Sequence, residues 1–179
     1  MYSQRNPHQF INQFVDAVTV RPFLNDLRRM KQSAAIFRTL PRLVSTEAVR
    51  SATEAFDNPD EPKFLISGPD IRMTSGAVVA IAMTLNELCT NTTKFGALSV
   101  PQGLVEISWT LDQQTQRLHL TWTEKNGAAV RPPEKRSFGT RLIETLGRQL
   151  RGNVRLTYEP TGFVYTLDVP MASLTSAAA

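Results

Sequence analysis

The chain has 179 residues, 41% of them hydrophobic and 20% charged, with a formal net charge of +4 and a sequence pI near 9.6. This is the composition of a globular protein, and it excludes a collagen, a disordered chain and a disulfide scaffold. A single cysteine, Cys89, excludes an internal disulfide and fits a reducing, cytoplasmic setting. The longest apolar run, Gly76 to Leu85, is about half of the roughly 20 residues that a membrane helix needs, so no membrane segment is expected. The N-terminus carries no secretory signal pattern.

Charge is unevenly placed. The first 50 residues hold eight Lys or Arg against three acids, a surplus of five, so the remainder carries a net −1. These cations are scattered and few aromatics lie between them. They read as solvated helix faces, and no nucleic-acid partner is expected.

Residues 10 to 40 repeat apolar side chains at helical intervals, with Phe10, Phe14 and Val18 on one side and Leu24, Leu27 and Met30 after Pro22. Two helices, or one kinked helix, are predicted, stopped by Pro41. Ser45 is a plausible cap for a short helix through Phe56. The polar turn "DNPDEP" then separates a helical segment, 1–56, from the domain expected over 57–172. "KFLIS" reads as a strand, and Thr74 or Ser75 caps a long helix to about Phe95. "LVEISWTLD" and "RLHLTWTE" alternate apolar and polar residues around "QQT", predicting a hairpin. A helix over "GTRLIETLGRQL" would bury Leu142, Ile143, Leu146 and Leu150. A second hairpin pairs "NVRLTYEP" with "FVYTLDVP", and 173–179 is read as a flexible tail within the frayed end "ASLTSAAA". The fold class is α/β, an α+β two-layer sandwich: a mixed, mainly antiparallel sheet with helices on one face.

The long helix carries a polar stripe. Its apolar side has Ile81, Leu85 and Leu88, which leaves Thr84, Glu87, Asn91 and Lys94 to face solvent or a cleft. Downstream, Glu124 ends a strand shortly before Gly127, and Gly139 opens the next helix in "SFGTRLI". A helix beginning in glycine offers free N–H groups to a phosphate. Each residue also has a plainer reading. Trp122 fits a strand core, Lys94 a solvated surface, Thr90 and Phe95 packing or capping, and Cys89 a small buried apolar side chain.

In these segments the chain resembles the catalytic ATP-binding domain of the HWE family of bacterial histidine kinases, within the larger ATPase group that includes gyrase. The family helix reads approximately L-H-E-L-A-T-N-A-A-K-Y-G-A-L-S, and the chain has "LNELCTNTTKFGALS". The family's W-x-E motif is met by Trp122 and Glu124 in "WTEKNGA", its G-F-G-[ST]-x-L-I by "SFGTRLI", and its closing P-x-G-x…P by "EPTGFVYTLDVP". The resemblance spans about residues 63 to 171 and implies a Bergerat-type ATP-binding fold preceded by N-terminal helices.

It also implies roles. Asn91 would hold the Mg²⁺ that bridges the triphosphate. Glu87 would sit where related ATPases place the carboxylate that polarises the attacking group. Lys94 would contact phosphate, as would Gly139 and Thr140 at the helix start. Glu124 would accept a hydrogen bond from the adenine amino group with Trp122 packed beneath, and Gly127 would let the backbone approach the nucleotide. ATP and Mg²⁺ are the implied ligands. The implied activity is a protein histidine kinase of a two-component system, with a response regulator or phosphoacceptor protein as partner and a homodimer through the N-terminal helices. The alternative is a kinase-like domain that acts by docking alone.

The chain departs from the family pattern at Asn86, where the family has histidine, at Asn126 and Ala128, where it has glycine and proline, at Ser137 for the first lid glycine, and at Thr92 and Thr93 for two alanines. Its histidines are His8 and His119. His8 lacks the flanking acid and base of a phosphoacceptor, and His119 falls in a predicted strand. The helices before residue 57 are therefore expected to be a shortened or divergent dimerisation segment.

Overall fold

A computed structural model of the chain describes residues 42–44, 46–58, 60–130, 132 and 137–175. The helices expected before Pro41, His8 and the last residues of the expected tail lie outside the described residues, all of which belong to the unit Pro41–Ala179. The elements in chain order are β1 (Arg42–Val44), α1 (Thr46–Thr53) with a 3₁₀ turn Glu54–Phe56, β2 (Phe64–Ser67), β3 (Ile71–Met73) and α2 (Ser75–Phe95). After a 3₁₀ turn Ala97–Ser99 come β4 (Leu104–Asp112), β5 (Arg117–Lys125), α3 (Phe138–Gln149), β6 (Asn153–Glu159), β7 (Gly162–Pro170) and α4 (Met171–Thr175).

The main sheet has five strands in the order β2-β4-β5-β7-β6. β2 runs parallel to β4, and the remaining pairings are antiparallel. Alternation along each strand divides the sheet into a buried and an open face. One inward-facing row crosses four strands as Ile107, Trp122, Tyr165 and the half-buried Leu156, with Ile107 opposite Trp122, Trp122 opposite Tyr165 and Tyr165 opposite Leu156. Trp122 is 0% exposed, and Phe64 meets its indole edge-on at 6.1 Å between centroids. The neighbouring row contains Phe64, Val105 and Glu124, and the β6–β7 pair at the same end is Tyr158 opposite Phe163.

Helices α2 and α3 cover the buried face. The Thr74 hydroxyl caps α2 by accepting from the Ala77 N–H, and no proline interrupts the helix before Gly96. Its buried stripe is Ala77, Ala80, Ile81, Thr84, Leu85, Leu88, Cys89 and Thr92. Thr84 corrects the expectation that it would face a cleft: its hydroxyl donates to the Ala80 carbonyl at 2.9 Å, which satisfies it inside the helix and lets it be buried.

Two further pieces join this core. β1 pairs antiparallel with β3, and Val49 of α1 is buried in the same apolar cluster. Met171–Thr175 is helical instead of frayed, because Leu174 is 0% exposed and its carbonyl accepts the Thr74 N–H at 2.7 Å. Among the described residues no helix is long and apolar enough to cross a membrane.

Trp122 fills the middle of the buried face, so Trp122→Ala is expected to cost roughly 3–5 kcal/mol of stability. Urea unfolding should show this as a lowered midpoint.

Candidate functional site

The site is built where the C-terminal end of α2 meets the N-terminal end of α3 above the inner face of the sheet. A cavity of about 410 Å³ opens there, within the range of roughly 300–1,000 Å³ common for ligand pockets. Asn91, Ser137 and Thr140 supply its polar lining, and Glu124 lies in its wall. Phe95, Ile143, Leu156, Tyr158 and Phe163 supply much of the apolar lining, with Ala129 and Val130 from the segment after β5.

Glu87 and Asn91 project from successive turns of α2 toward the start of α3. A Cβ placed on Gly139 would stand 2.7 Å from Glu87 Oε2 and 3.8 Å from Asn91 Nδ2. Any larger residue at Gly139 would therefore press on the Glu87 carboxylate. Glu87 is half-buried, and burial raises its pKa while the Lys94 charge pulls it back down. Lys94 itself is exposed and does not line the cavity. Thr140 does line it, but its N–H is already donated to the Ser137 hydroxyl at 3.1 Å, so Ser137 acts as the cap of α3.

Glu124 is 4% exposed. Its Oε2 accepts from the Ala97 N–H at 2.7 Å and its Oε1 from the Trp122 indole N–H at 3.3 Å. Burial raises its pKa, and these donors oppose the rise. The carboxylate thus ties the end of α2 to β5 while remaining in the cavity wall. Gly127 stands against the same junction, since a Cβ there would lie 2.5 Å from the Ala97 Cα, and it is absent from the cavity lining. Asn126, at a family glycine position, has φ +56°, a left-handed conformation that asparagine tolerates better than most residues.

The structure therefore brings Glu87, Asn91, Gly139 and Thr140 together, sets Glu124 in the wall, holds Gly127 behind the wall and leaves Lys94 outside it. It also brings in residues that the sequence reading did not assign to a site: Phe95, Ile143, Leu156, Tyr158 and Phe163. Phe95, expected to pack or cap, is 73% exposed, because it lies beyond the buried stripe at the last position of α2. Tyr158 and Phe163 face each other across the β6–β7 turn, a pairing that the aromatic residues flanking "EPTG" could have signalled. Cys89 is fully buried, and its thiol is pushed up to about 12, chiefly by burial.

A two-layer sandwich of this kind is also the fold of solved histidine kinase domains. Solved structures of similar fold include the histidine kinase domain of the Erythrobacter litoralis blue-light activated histidine kinase EL346, with a TM-score of 0.57 at 15% identity over 69% of this chain and 58% of that one. The Acinetobacter baumannii histidine kinase AdeS matches with a TM-score of 0.56 at 15% identity over 94% of this chain and 87% of that one. No family model matches the chain.

In sequence, the chain is 33% identical over 131 residues to a blue-light-activated histidine kinase of Brucella anthropi, a match that covers 72% of this chain and 27% of that protein. The Brucella ovis protein of the same name is 28% identical over 124 residues, which is 68% of this chain and 25% of its own length. The chain spans about a quarter of the length of these curated relatives. It carries a histidine kinase ATP-binding domain, and its blue-light kinase relatives agree with the HWE grouping that its motifs imply.

Two outcomes follow from the buried groups. Because the folded-state pKa of Glu124 is raised, the stability it confers is present below the ordinary value of 4.5 and is lost as pH rises through the folded value. Relative to Glu124→Gln, the parent should therefore lose stability as pH rises above 4.5, read from urea midpoints across a pH series. Cys89 should resist a thiol-alkylating reagent at pH 8 in the folded chain and react once urea unfolds it.

Proposed function

We propose that this domain binds ATP with Mg²⁺ in the cavity between α2, α3 and the sheet, and presents the γ-phosphoryl group for transfer to a histidine. The observation that carries this reading is that Asn91, Ser137 and Thr140 form the polar part of a cavity whose other lining is largely apolar, with Glu87 and Gly139 set against each other beside Asn91. A triphosphate and a base need these two environments side by side.

The residues fit a divalent cation held mainly by its substrate. Among the described residues no three His, Cys, Asp or Glu side chains converge, so Mg²⁺ would take most of its oxygens from phosphates and water, with the Asn91 carbonyl as the protein ligand. When bound, the ion neutralises charge on the phosphates. Gly139 and Thr140 would position phosphate oxygens at the start of α3, and Lys94 would approach from the rim as a point charge. Glu87, whose proton affinity is raised by burial, would accept a hydrogen bond or proton from the attacking imidazole. Glu124 would offer its remaining acceptor capacity to the adenine amino group, and Gly127 would keep the backbone behind that contact close.

The acceptor histidine belongs to a partner or a longer parent chain in this proposal. His119 is on the open face of the sheet, with Nδ1 3.3 Å from Asp168 Oδ1, and alternation along β5 turns it away from the cavity. A response-regulator aspartate would receive the phosphoryl group next, in the cytoplasm. The organisation proposed with this activity is a dimerisation segment ahead of Arg42 and an ATPase domain that takes in β1, α1 and α4, beyond the bounds 57–172 expected from the sequence.

Calorimetric titration with ATP tests the reading. Binding should require Mg²⁺, and Asn91→Ala should weaken it by about tenfold or more, the scale of one lost charge-assisted contact. Absence of binding at millimolar ATP would overturn it.

A further inference from the structure

The peptide link between Asn126 and Gly127 carries a chemistry that the cleft does not use. Among the asparagines of the sequence, Asn126 is the one followed by glycine. Asparagine is a thermolabile residue, and a glycine after it has no Cβ to shield its amide nitrogen from the asparagine side-chain carbonyl. Helices and ladders suppress that attack by holding the backbone, as they hold Asn86 and Asn91 within α2 and Asn153 opposite Asp168. Asn126 lies one residue past the last β4–β5 pair, Leu104 opposite Lys125, and is exposed. Its φ of +56° is one that a side-chain-bearing residue adopts at a cost. Among the described residues, neither its side-chain amide nor the Gly127 N–H has a hydrogen-bond partner.

The residue after this link is, by contrast, closely packed. A Cβ on Gly127 would stand 2.5 Å from the Ala97 Cα and 3.0 Å from the Ala97 nitrogen, and that nitrogen donates to Glu124 Oε2 at 2.7 Å. We propose that Asn126 is a self-modification site, which converts to aspartate and isoaspartate in the folded chain, and that the isoaspartate form loosens the junction between α2 and β5. The Gly127 nitrogen bonds to the Asn126 Cγ and gives up its proton as ammonia leaves, closing a five-membered succinimide. Water then opens one of the two C–N bonds of the ring. One water is consumed and one ammonia released, with no oxidant, reductant or cofactor.

Opening the ring at the original main-chain carbonyl leaves the backbone running through the Asn126 side chain, one carbon longer and with a free carboxylate beside it. The added length falls between β5 and Gly127, where the contact with Ala97 leaves no space for it. Opening at the other bond gives aspartate, which adds charge and keeps the main chain as it was. The glycine that stands here in the family pattern has no amide to lose, so the reaction is particular to this chain. It does not depend on what the cavity binds.

The test stores the full chain at mildly alkaline pH and body temperature and follows intact mass and peptide maps with time, beside Asn126→Gly and Asn126→Asp. Glycine takes up φ +56° without strain and cannot react. The parent should gain the mass of an NH₂-to-OH exchange, mapped to Asn126, at a rate within a few-fold of a free peptide spanning 122–130. An isoaspartyl methyltransferase should label the aged parent and leave aged Asn126→Gly unlabelled. The aged parent should develop a second thermal transition below the first, whereas fresh Asn126→Asp should melt with the fresh parent.

Conversion slower than the peptide by more than an order of magnitude overturns the proposal, because the fold would then protect the link. Mass gain that maps to another asparagine overturns it too. An isoaspartate-bearing chain that melts with the fresh parent would overturn the loosening of the junction. Fresh Asn126→Asp melting as low as the aged parent would do the same, by assigning the change to charge and not to the lengthened backbone.

Discussion

A carboxylate taken out of water must find donors, and in this protein the arrangement of the cleft follows from where Glu124 finds them. Its oxygens accept the Ala97 N–H and the Trp122 indole N–H, so one side chain joins the turn after α2 to the middle of the sheet. The junction is tight enough to dictate its neighbours. A Cβ at Gly96 would overlap the carboxylate itself, one at Gly162 would overlap the Glu124 carbonyl, and one at Gly103 would overlap the Ala97 carbonyl. Glycines scattered through the sequence thus converge on one hydrogen-bonded knot, which holds the last turn of α2 over the sheet.

With that end of α2 held, the opposite wall depends on α3. Gly147 has no room for a side chain because a Cβ there would overlap Val154 of β6, so α3 rests directly on the strand. Close approach at Gly147 and the Ser137 cap at the helix start bring Gly139 against Glu87. The cavity is the space that remains between two helix ends that are each fixed elsewhere. Its polar lining comes mainly from helix termini and its apolar lining largely from the sheet, which explains how one small cleft contains two environments.

Much of this fold was legible in the sequence because its strongest signals are local. The capping threonine and unbroken apolar spacing marked α2, and alternation around "QQT" and "TG" marked both hairpins. The parallel pairing of β2 with β4 and the ribbon of β1 with β3 had no such signal, since both join segments far apart in sequence through ladders of only three or four residue pairs. The polar stripe was read correctly at Glu87 and Asn91, where side chains too long or too polar to bury must point outward. It failed at Thr84, whose hydroxyl bonds back to its own helix. Phe95, read as packing or capping, and Tyr158 were not assigned to the site for the converse reason: an aromatic at the end of a helix or strand looks like core until the neighbouring layer is known to stop short of it.

The first and last described elements of this unit both meet the start of α2. β1 is hydrogen-bonded to β3, which leads directly into Thr74, and the Thr74 N–H is itself held by the Leu174 carbonyl of α4. From Ser75 to Asn91 the helix is an uninterrupted rod about 24 Å long at the usual rise per residue. The strand at Arg42–Val44 thus stands at the base of a helix whose far part carries the Asn91 amide, and the Glu124 knot fixes the end beyond it.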